Sequence, residues 1–170
     1  MIKEESITVE KILLTHGHLD HCGASKQIRD QLNISIEGPH KDDQFWIDQL
    51  EEQSKQFGLP NASSFIPDRY LNDNEIVEFG TIKLLVKHCP GHTPGHVIFF
   101  SPEEKIAIVG DVLFSGSIGR TDFPRGDYDT LIEAITTKMW PLGNDVTFFP
   151  GHGPTSTFGI ERQTNPYVGD

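Results

Sequence analysis

The stretch "THGHLDH", residues 15–21, places three of the chain's eight histidines and an aspartate within residues 16–21, directly after the strand-like run 11–14. In an extended segment alternate side chains point the same way, so His16 and His18 converge on one point. The turn carrying Asp20 and His21 aims at a neighbouring point. Neutral imidazoles and carboxylates are the donors that borderline divalent cations such as zinc accept, and four of them crowded together fit poorly into a dry core otherwise. The stretch therefore reads as part of a metal centre rather than as a histidine-rich surface loop.

One segment cannot fill two coordination shells, so further donors are expected at strand ends elsewhere. "CPGHTPGH" (89–96) puts His92 on a Pro- and Gly-bounded loop, "VGD" (109–111) puts Asp111 at a strand terminus, and "FFPGHG" (148–153) does the same for His152. Each alone is a common turn or surface histidine; the set carries the weight.

Strand character at 11–14, 34–37, 75–79, 81–88, 96–100, 105–109 and 146–149 is interleaved with helical spacing at 23–32, 42–57 and 129–140. Ile28 and Leu32 share a face of the first helix, Trp46, Leu50 and Phe57 of the second, and Leu131, Ile132, Ile135 and Met139 of the third. The hairpins argue against a purely parallel sheet, and the fold class is α/β with mixed layers.

The 170 residues suit one packed domain. A formal charge of −11 without any stripe of Lys and Arg weighs against nucleic acid as a partner. The first residues lack a secretory pattern and no apolar run approaches membrane-spanning length, so a cytoplasmic chain with no membrane partner is expected. Cys22 and Cys89 then read as small buried thiols.

The ordered set "THGHLDH", "PGHTPGH", "GD" and "PGHG" resembles the metallo-β-lactamase superfamily. Within it, "LLTHGHLDH", "HCPGHTPGHV", "GRTDFPRGD" and "LGNDVTFFPGHGP" are most similar to the short glyoxalase II-like hydroxyacylglutathione hydrolases, over roughly residues 12–166. The resemblance implies an αββα sandwich of two mixed sheets flanked by helices, with metals at one edge. It implies that His16, His18 and His92 hold one divalent ion and Asp20, His21 and His152 a second, with Asp111 bridging. Zinc is the first expectation, with iron and manganese also compatible. It implies hydrolysis of a small-molecule glutathione thioester such as S-lactoylglutathione, with Asp20 orienting the attacking hydroxide. Arg120, helped by Arg125, is expected to receive the glutathione carboxylates. Against that stands a structural ion pair of Arg120 with Asp122 or Asp127. His40, His88, His96 and Cys89 are not ligands on this pattern.

The resemblance begins close to residue 1, whereas members normally carry several strands before the histidine motif. The expectation is a single domain over 1–170, incomplete at its N-terminus, with one sheet short and an edge exposed. The helical C-terminal domain by which long members grip glutathione is likewise not expected here. Persulfide dioxygenases of the same superfamily, with one iron on His16, His92 and Asp111, are the competing enzyme reading. A β-lactamase fits a cytoplasmic chain less well. The reading from another class is an inactive metal-binding remnant. Oligomeric state is left open.

Overall fold

A computed structural model describes residues 7–60 and 62–170. The first strand, β1 (Lys11–Leu13), pairs in parallel with β2 (Ser35–Glu37), Ile12 opposite Ile36. Parallel neighbours need a crossover. The short α1 (Leu19–Cys22) and α2 (Ser25–Leu32) supply it. A 3₁₀ turn at Lys41–Asp43 leads to α3 (Gln44–Ile47) and α4 (Leu50–Phe57).

The larger sheet starts with four consecutive antiparallel strands, β3 (Ile76–Phe79), β4 (Ile82–His88), β5 (Val97–Ser101) and β6 (Ile106–Gly110). The hairpin of β7 (Leu113–Phe114) and β8 (Ser117–Ile118) stands apart from it. After α5 (Tyr128–Ala134), β9 (Thr147–Pro150) enters parallel to β6, and β10 (Ser156–Thr157) closes the edge antiparallel to β9. The order is β10-β9-β6-β5-β4-β3, a mixed sheet, and α6 (Phe158–Thr164) follows.

Every residue of β5 is buried, because its two faces serve two cores. Ile98 and Phe100 join Leu131, Ile135 and Met139 under α5 and Phe158 of α6. Val97 and Phe99 join Val77, Leu84, Val86 and Leu71, with Leu13 of the smaller sheet packed against them. A third core, Leu14, Ile36, Ile47 and Leu50 with Phe65, lies between the smaller sheet and its helices. Three interlayer cores make the order helix, sheet, sheet, helix, the αββα sandwich. A fully buried Phe such as Phe99 or Phe148 contributes roughly 1.5–3 kcal/mol through area removed from water. Among the described residues the smaller sheet has two strands, both parallel, rather than a mixed set. On β6 and β9, Ile108 and Phe149 are 46% and 45% exposed.

The helix expected over 42–57 is broken between Ile47 and Leu50. Trp46, Ile47 and Leu50 are all buried on one side of the segment. At the break the Trp46 carbonyl accepts from the Gln49 N–H (3.1 Å) and the Gln53 side-chain amide (3.0 Å), which replaces the regular ladder. The helix expected over 129–140 starts at Tyr128, where Asp127 caps it by accepting from the Thr130 N–H at 2.8 Å, and it changes to a π-helical turn at Ile135–Met139. β7, β8, β10 and α6 were not expected. Cys22 and Cys89 are buried and unpaired, as read. No helix among the described residues is long and apolar enough to cross a membrane.

Candidate active site

Beyond β1 the chain stays extended, and the Val97 N–H donates to the Thr15 carbonyl at 2.8 Å, strapping this segment to β5. His16 and His18 therefore leave the same side of the backbone, their ring centres 4.9 Å apart. At His18 the chain turns. The N–H groups of His21 and Cys22 both donate to the His18 carbonyl at 3.0 Å, and α1 carries Asp20 and His21 around to the second point.

His92 comes from the loop between β4 and β5, Asp111 from the end of β6 and His152 from the end of β9. All seven sequence-predicted donors meet at this one edge. The ligand atoms of His16, His18 and His92 lie within 4.8 Å of one another, and so do those of Asp20, His21 and His152. Asp111 stands between the trios. Its Oδ2 is 3.6 Å from both His92 Nε2 and His152 Nε2, and its Oδ1 is 3.5 Å from His21 Nε2. The first trio is buried, whereas Asp20 and His152 lie at the open rim.

The donors fit divalent cations on their own geometry. His16 Nε2 and Asp111 Oδ1 are buried with no hydrogen-bond partner among the described residues, an arrangement that costs stability unless something else satisfies them. The His92 Nδ1–H donates to the Arg120 carbonyl (2.7 Å), which leaves the Nε2 lone pair facing the cluster. Gly151 keeps the space open, since a methyl group there would run into Asp111 Oδ1 and His21 Cε1. His16, His18 and His92 would hold one ion, Asp20, His21 and His152 the other, with Asp111 facing both.

Burial disfavours the charged imidazole, so His16 and His92 are lowered and His18 is pushed down to about 4. His21 differs. Burial opposes its protonation too, but Asp111 and Asp20 outweigh that and raise it to about 9. The His21 hydrogen bond in turn holds Asp20 well below the usual carboxylate range.

Two supports escaped the sequence reading. Asp43, fully buried, accepts from the Gly17 N–H (2.8 Å) and the Thr93 hydroxyl (2.8 Å) on one oxygen and the Gly95 N–H (2.6 Å) on the other. One carboxylate thus ties the "THGHLDH" segment to the His92 loop. Burial raises it to about 6 despite these three donors. Trp46, seen only as part of a helix face, packs its ring edge-on 4.6 Å from His18, and Phe123 closes the other side at 4.9 Å. His96, expected to be a packing or outer residue, stacks on His16 at 4.6 Å and accepts from the Asp111 N–H at 3.0 Å. His40 and His88 stack on each other, away from the donors.

The donors open into a cavity of about 960 Å³ lined by Trp46, Leu59, Phe114, Ile118 and Phe123 together with Gln49, Gln53 and Arg120. Arg120 lines the cavity, and its guanidinium forks onto the two oxygens of Asp122 at 2.7 and 2.6 Å, the ion pair that stood as the alternative. Arg125 instead lies over the Phe45 ring, 4.1 Å from its centre.

The chain is 47% identical over 168 residues to the hydroxyacylglutathione hydrolase GloC of Haemophilus influenzae, which covers 98% of this chain and 79% of that protein. Among solved structures, the BLEG-1 B3 metallo-β-lactamase superposes with a TM-score of 0.89 at 37% identity, covering 98% of this chain and 80% of the other. The di-iron-bound form of TTHA1623 does so with 0.89 at 34%, covering 98% and 81%. The profile of the metallo-β-lactamase superfamily matches residues 2–152. That match runs through all seven donor positions, and the chain belongs to the metallo-β-lactamase superfamily.

Proposed function

We propose that the protein is a hydroxyacylglutathione hydrolase, cleaving S-lactoylglutathione to lactate and glutathione, with residues 1–170 acting as one metallo-β-lactamase-like domain. The carrying observation is the meeting of two donor trios around Asp111 at the mouth of a mostly apolar cavity. The 47% identity to a hydroxyacylglutathione hydrolase directs that site to thioesters.

When bound, a pair of divalent cations, zinc in the first instance, would supply Lewis-acid polarisation of a carbonyl oxygen and acidify water. The side chains supply the rest. Asp20, ionised and exposed at the rim, accepts a hydrogen bond from the attacking water and so orients it. Asp111 fixes the separation of the two trios. Trp46 and Phe123 wall the cluster and keep bulk water from the thioester carbonyl. Water oxygen is added to the carbonyl carbon, the water's proton passes to solvent at the open rim, the C–S bond breaks, and the thiolate leaves with little need of an acid because its own pKa is modest. Arg120 carries the cationic charge available to a substrate carboxylate.

The test pairs metal analysis of the purified protein with loss of thioester absorbance on S-lactoylglutathione. Two cations per chain and rapid hydrolysis support the proposal. One iron with oxygen uptake on glutathione persulfide would move the assignment to a dioxygenase. Faster opening of a chromogenic cephalosporin would move it to the activity named for BLEG-1, and none of these activities would leave a metal-binding remnant.

A further inference from the structure

The leaving thiol needs a binding surface, and the start of α4 with its preceding residue Gln49 presents an unusual one. Gln49 and Gln53 are one helical turn apart, so they share a face, and both line the cavity beside Trp46 and Leu59. The Gln49 Nε2 donates to the Phe45 carbonyl at 2.8 Å, and the Gln53 Nε2 donates to the Trp46 carbonyl at 3.0 Å. A carbonyl only accepts, so the amide nitrogen of each side chain is held on that side and cannot exchange places with its oxygen. Each Oε1 is left as a positioned acceptor, and no donor among the described residues reaches either one. The break between α3 and α4 creates this arrangement, because it frees the Trp46 carbonyl from the regular helical ladder.

Across the cavity the charge is sparse. Arg120 is the one Lys or Arg among the described lining residues, and Asp122 already engages it with two hydrogen bonds. A thiol rich in phosphates finds, besides the metal cluster, one guanidinium already shared with Asp122. A peptide thiol brings N–H groups and an ammonium, and these are what two fixed carbonyl oxygens accept.

We propose that Gln49 and Gln53 determine specificity for the thiol half of the substrate, accepting hydrogen bonds from the N–H groups of a peptide thiol. This rests on the thioester reading above and identifies what selects the leaving group. The donors at the metal cluster act on the carbonyl; the two glutamines act on the part of the substrate that departs.

The test uses Gln49→Met and Gln53→Met, which keep side-chain length and remove the acceptor. Rates are measured on S-lactoylglutathione and on the S-lactoyl thioester of mercaptoethanol, which has no N–H. The ratio of kcat/KM for the first substrate over the second falls roughly two- to tenfold per variant, chiefly through KM. Equal losses on both substrates, as a displaced cavity wall would give, overturn the proposal, and so does an unchanged ratio. If the unmodified protein hydrolyses neither thioester, the functional reading fails and the glutamines are judged separately by calorimetric titration with S-methylglutathione. Weaker binding by the variants then supports the role. Unchanged binding, no binding by the unmodified protein, or tighter binding of S-methyl coenzyme A overturns it.

Discussion

His92 Nε2 stands 3.1 Å from His18 Nδ1, across 74 residues of sequence. Two imidazole nitrogens held this close, with the Nδ1–H of His92 committed to the Arg120 carbonyl, face a common point. The chelator-treated protein is expected to take up two equivalents of zinc, measured by equilibrium dialysis and elemental analysis. His18→Ala or His92→Ala should retain about one. Asp111→Ala should lose occupancy at both positions and activity by at least about 100-fold, since even outer-shell changes at metal sites cost 10- to 100-fold. Full occupancy in that variant would remove Asp111 from between the trios.

The two positions differ in access to water. His16, His18 and His92 are buried, whereas Asp20 and His152 are more than half exposed at their side chains, 57% and 58%. Removal by a competing chelator should be biphasic, the rim ion leaving first, and activity should follow the fast phase.

Asp43→Asn keeps the shape but turns an amide nitrogen toward a backbone N–H of Gly17 or Gly95. The loss is expected to be about 1–3 kcal/mol, the usual cost of a buried unsatisfied group. At roughly 2–4 °C per kcal/mol for a chain of this length, the thermal midpoint should drop by several degrees. Metal affinity should fall with it, because the two segments Asp43 joins carry His16, His18 and His92.

Stability of the cation-free protein should depend on pH with a definite sign. His18 is pushed down to about 4 by burial, and burial lowers His88 and His96 as well. An unfolded imidazole protonates near 6.5, so between that value and the folded one the unfolded chain binds more protons. Each such group therefore adds stability above 6.5 that is lost as pH falls, at roughly 1.4 kcal/mol per pH unit. His21, raised to about 9, works in the opposite direction: its contribution is full below 6.5 and fades as pH rises through 9. Asp43, raised to about 6, opposes the trend too as pH falls through that value, but the lowered imidazoles outnumber these two groups, so denaturant midpoints should decline from pH 7 to pH 5. A midpoint that rises over that interval would contradict the assignment.

Gly151→Ala introduces a Cβ against Asp111 Oδ1 and within 2.6 Å of His21 Cε1. The expected result is a folded protein with reduced metal content and activity lower by at least about tenfold. Near-normal occupancy would show that the loop after β9 gives way.

The donors were legible because ligand-type side chains cluster after strands, at the turn of α1 and on the loop between β4 and β5, and "THGHLDH" fixes by alternation that His16 and His18 share a direction. The layered fold was legible for a related reason, as the apolar runs of β4, β5 and β6 are separated by turns that leave little choice of pairing. Asp43 was not. It lies in what spacing alone gives as the start of one amphipathic helix, and its partners are 26, 50 and 52 residues away. α6 was missed because Gly159 and the β-branched Ile160 and Thr164 favour no helix. It is held by Phe158 in the core and by Glu161, which accepts from the Gly116 N–H (2.8 Å) and the Ser156 hydroxyl (2.6 Å).

The carboxylate of Asp43 also bears on the order of events as the chain folds. A single acceptor that waits for amides from two distant stretches rewards neither arrival alone, so the loop-closure entropy is spent before the bonds form. The cage should therefore assemble late and all at once, after the layers have collapsed, and ions present during refolding would bind a finished receptor rather than template it.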